Sequence, residues 1–228
     1  MIKNLISFLL LLVTSSFTSA LPKIKSVQDF PLQLSANQGT NNELVIYLTG
    51  DGGWNKFSQT LTREMEKEGY GIVTLNTRKY FRIKKNPDIF ARDIDNILNF
   101  YMKEWKKTSV IIIGYSFGAD VAAFLPRHLS HSLLGKMNHI TLLSPSESTD
   151  FVINLSDLIG DSRNTKRKYK VEIELIETTF PVVCIFGTNE DLRLKNSPNK
   201  RKCLTIHKLP GNHHYKNNTA LLVKMIGL

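Results

Sequence analysis

The sequence predicts one α/β domain with a mostly parallel sheet and helices on both faces, for two reasons. From Glu43 onward, short apolar runs alternate with amphipathic segments, which is the pattern of strand-helix-strand units. The 228 residues are 42% apolar and 22% charged, so a disordered, collagenous or coiled-coil protein is excluded. Two cysteines are too few for a disulfide scaffold, and stability must therefore come from a hydrophobic core.

The first 20 residues have the pattern of a secretory signal peptide. One lysine precedes an apolar stretch, and Thr18-Ser-Ala20 places small residues at positions −3 and −1 of a cleavage site. The stretch is much shorter than the ~20 residues that span a bilayer, so cleavage is favoured over an uncleaved anchor. We expect residues 1–20 to be a signal peptide and residues 21–228 to be the exported domain.

The strand candidates are short runs rich in apolar and β-branched residues. In chain order they are a candidate edge strand at 30–35, followed by 44–48, 72–75, 110–113, 140–143, 182–186 and 204–209. Because helical segments separate the last six, these strands are expected to be parallel to one another.

The helices between the strands are predicted from apolar residues at every third or fourth position. Residues 57–69 form the first such segment. The next begins at Asn86, a capping residue followed by proline at the first helical position. We predict a third helix from Gly118 toward Arg127 and a last one over 220–226.

The chain is strongly basic, with 30 Lys and Arg against 20 Asp and Glu and a formal net charge of +10. Basic stretches occur at 78–85 and at 166–170, the latter within a predicted loop at 160–170. Docking on an anionic membrane and simple solubility are the two interpretations of this charge. Nucleic-acid binding is disfavoured, because no helix-turn-helix, RRM or OB signature accompanies the charge.

A Gly-x-Ser-x-Gly motif, Gly114-Tyr-Ser-Phe-Gly118, directly follows an apolar strand and directly precedes an alanine-rich helix. On so sharp a turn the serine backbone is strained, and side chains two positions to either side would collide, hence the glycines. The turn exposes the Ser116 hydroxyl above the strand ends. Ser116 is the candidate nucleophile; the alternative is a turn whose serine only caps the helix.

A nucleophilic serine needs a histidine base and an orienting acid, and in this kind of sheet the order is serine, acid, histidine. The loop after the next-to-last strand supplies Asp191, which we prefer as the acid, and Glu190 as the alternative. The loop after the last strand supplies His213 and His214, at the sheet edge where ligands bind in α/β folds. His213 is preferred, since an aromatic residue follows two positions later, and His214 stays open.

A glycine-rich turn, Gly50-Asp-Gly-Gly-Trp54, follows the first parallel strand. Its glycines allow a backbone N–H to point at developing negative charge, so we predict an oxyanion hole formed by Phe117 together with Gly52 and Gly53. A phosphate-binding turn is the competing interpretation, but neither the Walker pattern nor G-x-G-x-x-G is present. No zinc-ligand spacing occurs, and we expect neither a metal nor an organic cofactor.

The chain resembles the AcvB/VirJ family of exported bacterial α/β-hydrolase proteins. The matching segments are Thr49-Gly-Asp-Gly-Gly-Trp54, Thr77-Arg-Lys-Tyr-Phe81, Ile113-Gly-Tyr-Ser-Phe-Gly-Ala-Asp120, Cys184-Ile-Phe-Gly187 and Pro210-Gly-Asn-His-His-Tyr215. They cover nearly all of the mature chain. The resemblance implies a single-domain α/β-hydrolase fold in a periplasmic serine hydrolase.

Members of this family are associated with hydrolysis of lysyl-phosphatidylglycerol, an aminoacylated phospholipid, at the periplasmic face of the inner membrane. The resemblance implies that substrate here. The lysyl ammonium would need an acid, for which Asp51, beside the predicted oxyanion glycines, is the best-placed candidate, and Trp54 and Tyr115 are further candidate substrate contacts. Two alternatives stay open. One is a general carboxylesterase or thioesterase with the same triad, and the other is a non-catalytic periplasmic adaptor that binds secreted proteins.

Overall fold

A computed structural model describes residues 26–153, 167–191, 194 and 202–227. Its strands in chain order are β1 (Leu32–Leu34), β2 (Glu43–Leu48), β3 (Gly71–Leu75), β4 (Ser109–Tyr115), β5 (Met137–Leu143), β6 (Ser148–Thr149), β7 (Tyr169–Lys170), β8 (Val182–Gly187) and β9 (Leu204–Leu209). Within these ranges a seven-stranded sheet has the order β1-β3-β2-β4-β5-β8-β9, and β6 and β7 form a separate two-stranded ribbon. The sheet is parallel except for the antiparallel edge strand β1.

The six predicted parallel strands and the predicted edge strand are all present. Strand β4 runs two residues beyond its predicted end, because Gly114 and Tyr115 still pair with Leu142 and Leu143 of β5. A glycine is rarely found inside a strand, which is why the sequence pattern ended the strand early. The predicted signal peptide at 1–20 and most of the predicted loop at 160–170 lie outside the described residues.

The helices are α1 (Lys56–Lys67), α2 (Thr77–Tyr80), α3 (Pro87–Glu104), α4 (Phe117–Ala122), α5 (Leu125–His128), α6 (His131–Leu134), α7 (Val171–Glu177) and α8 (Thr219–Ile226). The start of α3 is as predicted, since the Asn86 side chain accepts a hydrogen bond from the Ile89 N–H at 2.8 Å. The single helix predicted over 118–127 is wrong: it is broken into α4 and α5. Pro126 has no N–H to continue the helical ladder, and its ring disfavours the preceding turn.

Helices cover both faces of the sheet. On one face, Leu61 of α1 and Leu222 of α8 are fully buried against the sheet, and on the other Phe90 and Ile94 of α3 are fully buried. Among the described residues, no helix is long and apolar enough to cross a membrane. The fold is therefore the three-layer arrangement that the alternating pattern predicted.

Both cysteines are free thiols. Cys184 is buried in β8, where it lies opposite Ile206 of β9. Cys203 precedes β9 and its thiol donates to the Thr179 carbonyl at 3.2 Å. The two sulfurs therefore have separate surroundings, one within β8 and the other just before β9.

The parallel strands all end at one edge of the sheet, so the loops that follow them meet there. These loops are 49–54 after β2, the Ser116 turn after β4, 144–147 after β5, 188–191 after β8 and 210–214 after β9. All of the sequence-predicted site residues lie on or beside these loops.

Candidate active site

The Ser116 turn has the strained geometry that the motif predicted. Ser116 has φ 53° and ψ −120°, a conformation that costs a non-glycine residue on the order of 1–3 kcal/mol. Its N–H donates to the Leu143 carbonyl at 2.8 Å, which holds the turn against β5. A Cβ on Gly114 would lie 2.5 Å from the Gly118 carbonyl oxygen, and one on Gly118 would lie 2.3 Å from that of Leu48. Neither position has room for a side chain.

His213 lies beside the serine, with Nε2 2.9 Å from Ser116 Oγ. Tyr115 holds the histidine from beneath: its hydroxyl donates to the His213 carbonyl at 3.2 Å, and the two rings are 5.2 Å apart. Tyr115 is buried, and burial raises its pKa well above the ordinary value of 10.0. The preferred histidine is therefore in reach of the serine.

Glu190, and not the preferred Asp191, is the acid that contacts His213. The Glu190 Oε1 atom lies 2.5 Å from His213 Nδ1, whereas Asp191 is exposed. The reason is the tight turn after β8, in which the Glu190 N–H donates to the Gly187 carbonyl at 3.2 Å. This turn folds the Glu190 side chain back under the histidine, so the Asp191 preference is corrected to the alternative.

Two donors hold the second oxygen of the Glu190 carboxylate. Oε2 accepts from the Gly187 N–H at 2.5 Å and from the Ser144 hydroxyl at 2.8 Å. The Tyr215 hydroxyl lies 2.5 Å from Ser144 Oγ and extends this buried network. With Glu190 on Nδ1, His213 takes the tautomer whose Nδ1 carries the proton, which leaves the Nε2 lone pair facing the Ser116 hydroxyl.

Gly53, one of the two glycines predicted as oxyanion donors beside Phe117, has its N–H engaged elsewhere. The Gly53 N–H donates to the Gly50 carbonyl at 2.9 Å and closes a turn. A Cβ on Gly53 would lie 2.8 Å from Asn76 Oδ1, and Gly52 and Gly53 border a separate shallow hollow. The prediction is therefore wrong for Gly53, whereas Gly52 stays a prediction, although it lines this hollow and not the cavity at Ser116.

Phe117 and Asp51 carry the N–H groups that remain as candidates. Gly50 packs against Ser116, since a Cβ on Gly50 would lie 3.3 Å from Ser116 Cβ, so the next residue, Asp51, is beside the serine. The Phe117 N–H is at the start of α4, directly after Ser116. Neither N–H donates a hydrogen bond to any residue in the described part of the chain. Both are available to a bound oxyanion.

Three further predicted candidates do not line the cavity at Ser116. Trp54 borders the same hollow as Gly52 and Gly53. Tyr115 is buried beneath His213 and supports it without facing the cavity. The His214 ring packs edge-on against Phe57 at 5.5 Å and faces a different cavity. Of the predicted substrate contacts, only Asp51 lines the cavity at Ser116.

The cavity in front of Ser116 has a volume of about 510 Å³. Its charged lining is mostly acidic, with Asp51, Asp120, Glu190 and Asp191 against Arg167 and His213. This is the opposite of the chain as a whole, which carries a formal net charge of +10. Val152 and Ile153 supply an apolar wall. The cavity therefore suits a ligand with a cationic group and some apolar surface.

Asp120 is a site residue that sequence reasoning missed, although it lies in one of the quoted motifs. It is 3% exposed and lines the cavity. Its carboxylate accepts from the Ser146 N–H at 2.6 Å and from the Ser146 hydroxyl at 2.7 Å. Burial raises the pKa of Asp120 to about 6, against the lowering effect of these hydrogen bonds. Asp120 is a single acid four residues after Ser116, and neither hydrophobic periodicity nor the Gly-x-Ser-x-Gly motif assigns a role to that position.

The part of the chain that the structure describes contains no candidate metal site. No group of three or more His, Cys, Asp or Glu side chains in it is arranged to hold an ion. The chemistry that the described residues support is that of the serine, the histidine and the glutamate.

Fold and geometry together define an α/β-hydrolase-fold protein with a Ser-His-Glu arrangement at the carboxyl edge of its sheet. The model of one family, described as bacterial virulence protein (VirJ), matches residues 42–227. The chain belongs to the VirJ family, which confirms the predicted resemblance. No curated protein sequence matches the chain.

Solved structures with similar folds include esterases and a thioesterase. Est1E from Butyrivibrio proteoclasticus has a TM-score of 0.58 at 15% identity, and the match covers 86% of this chain and 89% of the Est1E chain. A lipase-esterase related protein from Clostridium acetobutylicum ATCC 824 has a TM-score of 0.60 at 14% identity, with 87% and 98% covered. The thioesterase domain from the curacin biosynthetic pathway has a TM-score of 0.56 at 12% identity, with 86% and 94% covered. At these identities the likeness confirms the predicted fold class.

Proposed function

We propose that the protein is a serine hydrolase that cleaves carboxylic esters through an acyl-enzyme on Ser116. The observation that carries this proposal is the continuous contact from Ser116 Oγ to His213 Nε2, 2.9 Å, and from His213 Nδ1 to Glu190 Oε1, 2.5 Å. The strained turn that presents Ser116 supports it, because strain of this kind is maintained where a side chain must be exposed for chemistry.

The first half of the reaction transfers the acyl group to the serine. His213 takes the proton from Ser116 as Oγ bonds to the ester carbonyl carbon, and the carbonyl oxygen becomes an oxyanion between the N–H groups of Phe117 and Asp51. His213 then gives the proton to the leaving alcohol as the ester bond breaks. Glu190 stabilises the imidazolium in between, because its carboxylate faces Nδ1.

The second half returns the enzyme to its starting state. A water molecule gives a proton to His213 as its oxygen bonds to the acyl carbon, and the carboxylic acid leaves as Ser116 regains its proton. His213 thus passes the Ser116 proton to the leaving alcohol and a proton of the water molecule back to Ser116, so every proton is accounted for. The reaction as written needs no cofactor.

We propose the aminoacyl ester of lysyl-phosphatidylglycerol as the substrate. Membership of the VirJ family and the acidic lining of a cavity in a basic protein support this choice. Asp51 is the acid we assign to the lysyl ammonium: it lines the cavity and its carboxylate makes no hydrogen bond within the described residues. Asp120 is committed to Ser146 and Glu190 to His213.

The proposal includes export to the periplasm. Residues 1–20 carry the signal-peptide pattern, and an aminoacylated phospholipid in the outer leaflet of the inner membrane would face an exported enzyme. N-terminal sequencing of protein recovered from a periplasmic extract tests this part, with a mature start near Leu21 as the expected result.

The activity test compares wild type with Ser116→Ala on three substrates: vesicles with lysyl-phosphatidylglycerol, a small neutral ester and a small thioester. We expect the wild type to release lysine and phosphatidylglycerol, and the variant to release neither. Faster turnover of the small esters than of the lipid would indicate a general carboxylesterase or thioesterase. Turnover of none of the three by a folded wild type would favour the adaptor.

The substrate assignment has its own control within the same cavity. Asp51→Asn keeps the backbone N–H but removes the charge, so it is expected to raise KM for the lysyl lipid by about tenfold and to leave the small neutral ester unchanged. Asp191→Asn, an exposed acid at the rim of the same cavity, is the matched control. Equal effects of both changes would show that Asp51 has no special contact with the ammonium.

A further inference from the structure

A basic and apolar tip projects beside the candidate active site. We define the basic tip as Arg82, Ile83 and Lys84, together with Arg78 and Lys79 on the neighbouring helix α2. All five side chains are exposed, and Ile83 is 72% exposed, more than any other large hydrophobic residue of the described chain. Ile83 therefore combines an exposed apolar side chain with a cation on either side, Arg82 and Lys84.

In the part of the chain that the structure describes, no acid forms an ion pair with a cation of the basic tip. Within the described residues, Arg78, Lys79, Arg82 and Lys84 make no ion pair. The chain from Thr77 to Pro87 contains no Asp or Glu. The shallow hollow beside the tip has Arg78, Lys79 and Arg82 as its charged lining, again without a carboxylate. The basic tip therefore presents only positive charge to an approaching ligand or surface.

Two backbone hydrogen bonds attach the basic tip to a wall of the active-site cavity. The Ile153 N–H donates to the Phe81 carbonyl at 3.0 Å, and the Lys85 N–H donates to the Phe151 carbonyl at 3.0 Å. Residues 82–84 are the short span between these anchors, and Val152 and Ile153 on the other side line the cavity. Beneath them, the Phe81 ring packs edge-on against that of Phe117, the residue after the nucleophile, at 5.1 Å.

We infer that the basic tip docks the protein on an anionic lipid bilayer, with Ile83 inserted among the lipids and the surrounding cations on the phosphates. A bilayer satisfies both observations at once, because it offers a plane of negative charge over an apolar layer, whereas a soluble polyanion offers no apolar layer for Ile83. The anchoring to 151–153 then brings the cavity to the membrane surface, where a phospholipid ester would enter. The inference rests on the proposed function in naming this lipid surface, but docking itself does not require turnover.

The test measures sedimentation with vesicles of phosphatidylglycerol and of phosphatidylcholine, using Ser116→Ala so that no lipid is consumed. At low salt we expect Arg82→Gln/Lys84→Gln to weaken binding to phosphatidylglycerol by about 25-fold, since each cation near the surface contributes about fivefold. Ile83→Asn is expected to weaken it by about tenfold and to remove the part of the binding that survives high salt. Phosphatidylcholine vesicles are expected to bind weakly.

Matched controls lie elsewhere on the surface. Lys103→Gln/Lys106→Gln removes one cation in the last turn of α3 and one just beyond it, at the far end of an 18-residue helix about 27 Å long. Ile173→Asn removes an isoleucine that is 47% exposed on α7. Neither control is expected to change vesicle binding by more than about twofold. Equal loss in controls and tip variants, or equal binding to the two lipids, would overturn the docking inference and leave the hydrolase proposal standing.

Discussion

The Oε1 atom of Glu190 lies 2.5 Å from Nδ1 of His213. The contact is buried on the acid's side, with a Glu190 side chain only 5% exposed, and it is open on the histidine's side at 40%. The carboxylate is thus fixed by Gly187 and Ser144 while the imidazole remains accessible to a substrate. This relationship selects Glu190 over its neighbour Asp191 as the third member of the triad.

Replacement of Glu190 by Gln is expected to lower kcat by about 10³- to 10⁴-fold, because the amide can no longer stabilise the imidazolium or select its tautomer. Asp191→Asn is the matched control and is expected to stay within about threefold of wild type, since that side chain is exposed. Steady-state kinetics on a soluble ester measure both. The reverse ranking would return the role to Asp191.

The two adjacent histidines are expected to differ strongly in their effect on rate. His213→Ala removes the base that faces Ser116 and is expected to cost at least about 10⁴-fold in kcat. His214→Ala removes a ring packed on Phe57, so we expect less than a tenfold change in kcat and a modest loss of stability. Similar losses of kcat in His213→Ala and His214→Ala would mean that both changes disturb the loop, and that His213 is not the specific base.

Asp120 is expected to make the protein less stable as the pH rises from 4 to 7. Its folded pKa of about 6 lies above the ordinary value of 3.8, so the folded state binds the proton more tightly than the unfolded state. This contribution is fully present below about pH 4 and is lost as the pH rises through 6, by at most ~3 kcal/mol.

Asp120→Asn removes this titration. Urea unfolding measures the free energy of unfolding of the variant and of wild type. Between pH 4 and pH 7 we expect the wild type to lose stability relative to the variant. A constant difference caused by the amide itself would not change this trend. A difference that is flat with pH would contradict the account of Asp120.

Gly118→Ala is expected to destabilise the fold by several kcal/mol, because the new Cβ would lie 2.3 Å from the backbone carbonyl oxygen of Leu48. Gly135→Ala is a matched control: it has φ −67° and its nearest neighbour would be 3.5 Å away. That change is expected to be neutral or to stabilise by up to about 1 kcal/mol. Thermal unfolding distinguishes them, and a stable Gly118→Ala protein would contradict the close approach of this turn to β2.

The sequence was sufficient to predict most of the fold because the strands are buried apolar runs and α3 has a strong capping signal. It was not sufficient for short elements such as α2 and α6, each of four residues, because one turn of helix leaves no periodicity. The break at Pro126 had a local signal, the proline itself, but the alanine-rich pattern before it outweighed that signal.

The site divides in a similar way. Ser116 and His213 were predictable because each has a local motif and a place at the strand ends. The backbone turn after β8 decides that Glu190, and not Asp191, faces His213. The spacing of residues in the sequence does not predict that turn. The same holds for the turn at Gly50–Gly53, which engages the Gly53 N–H and leaves Asp51 lining the cavity at Ser116.

The most direct test of the account is covalent labelling of the folded protein with a fluorophosphonate, followed by peptide mass spectrometry. We expect a single adduct on Ser116 in the wild type, none in Ser116→Ala, and labelling slowed by orders of magnitude in His213→Ala, because only an activated serine reacts readily. Absence of an adduct in folded wild type, or equal labelling of the Ser116→Ala variant, would contradict the claim that this site is a serine hydrolase.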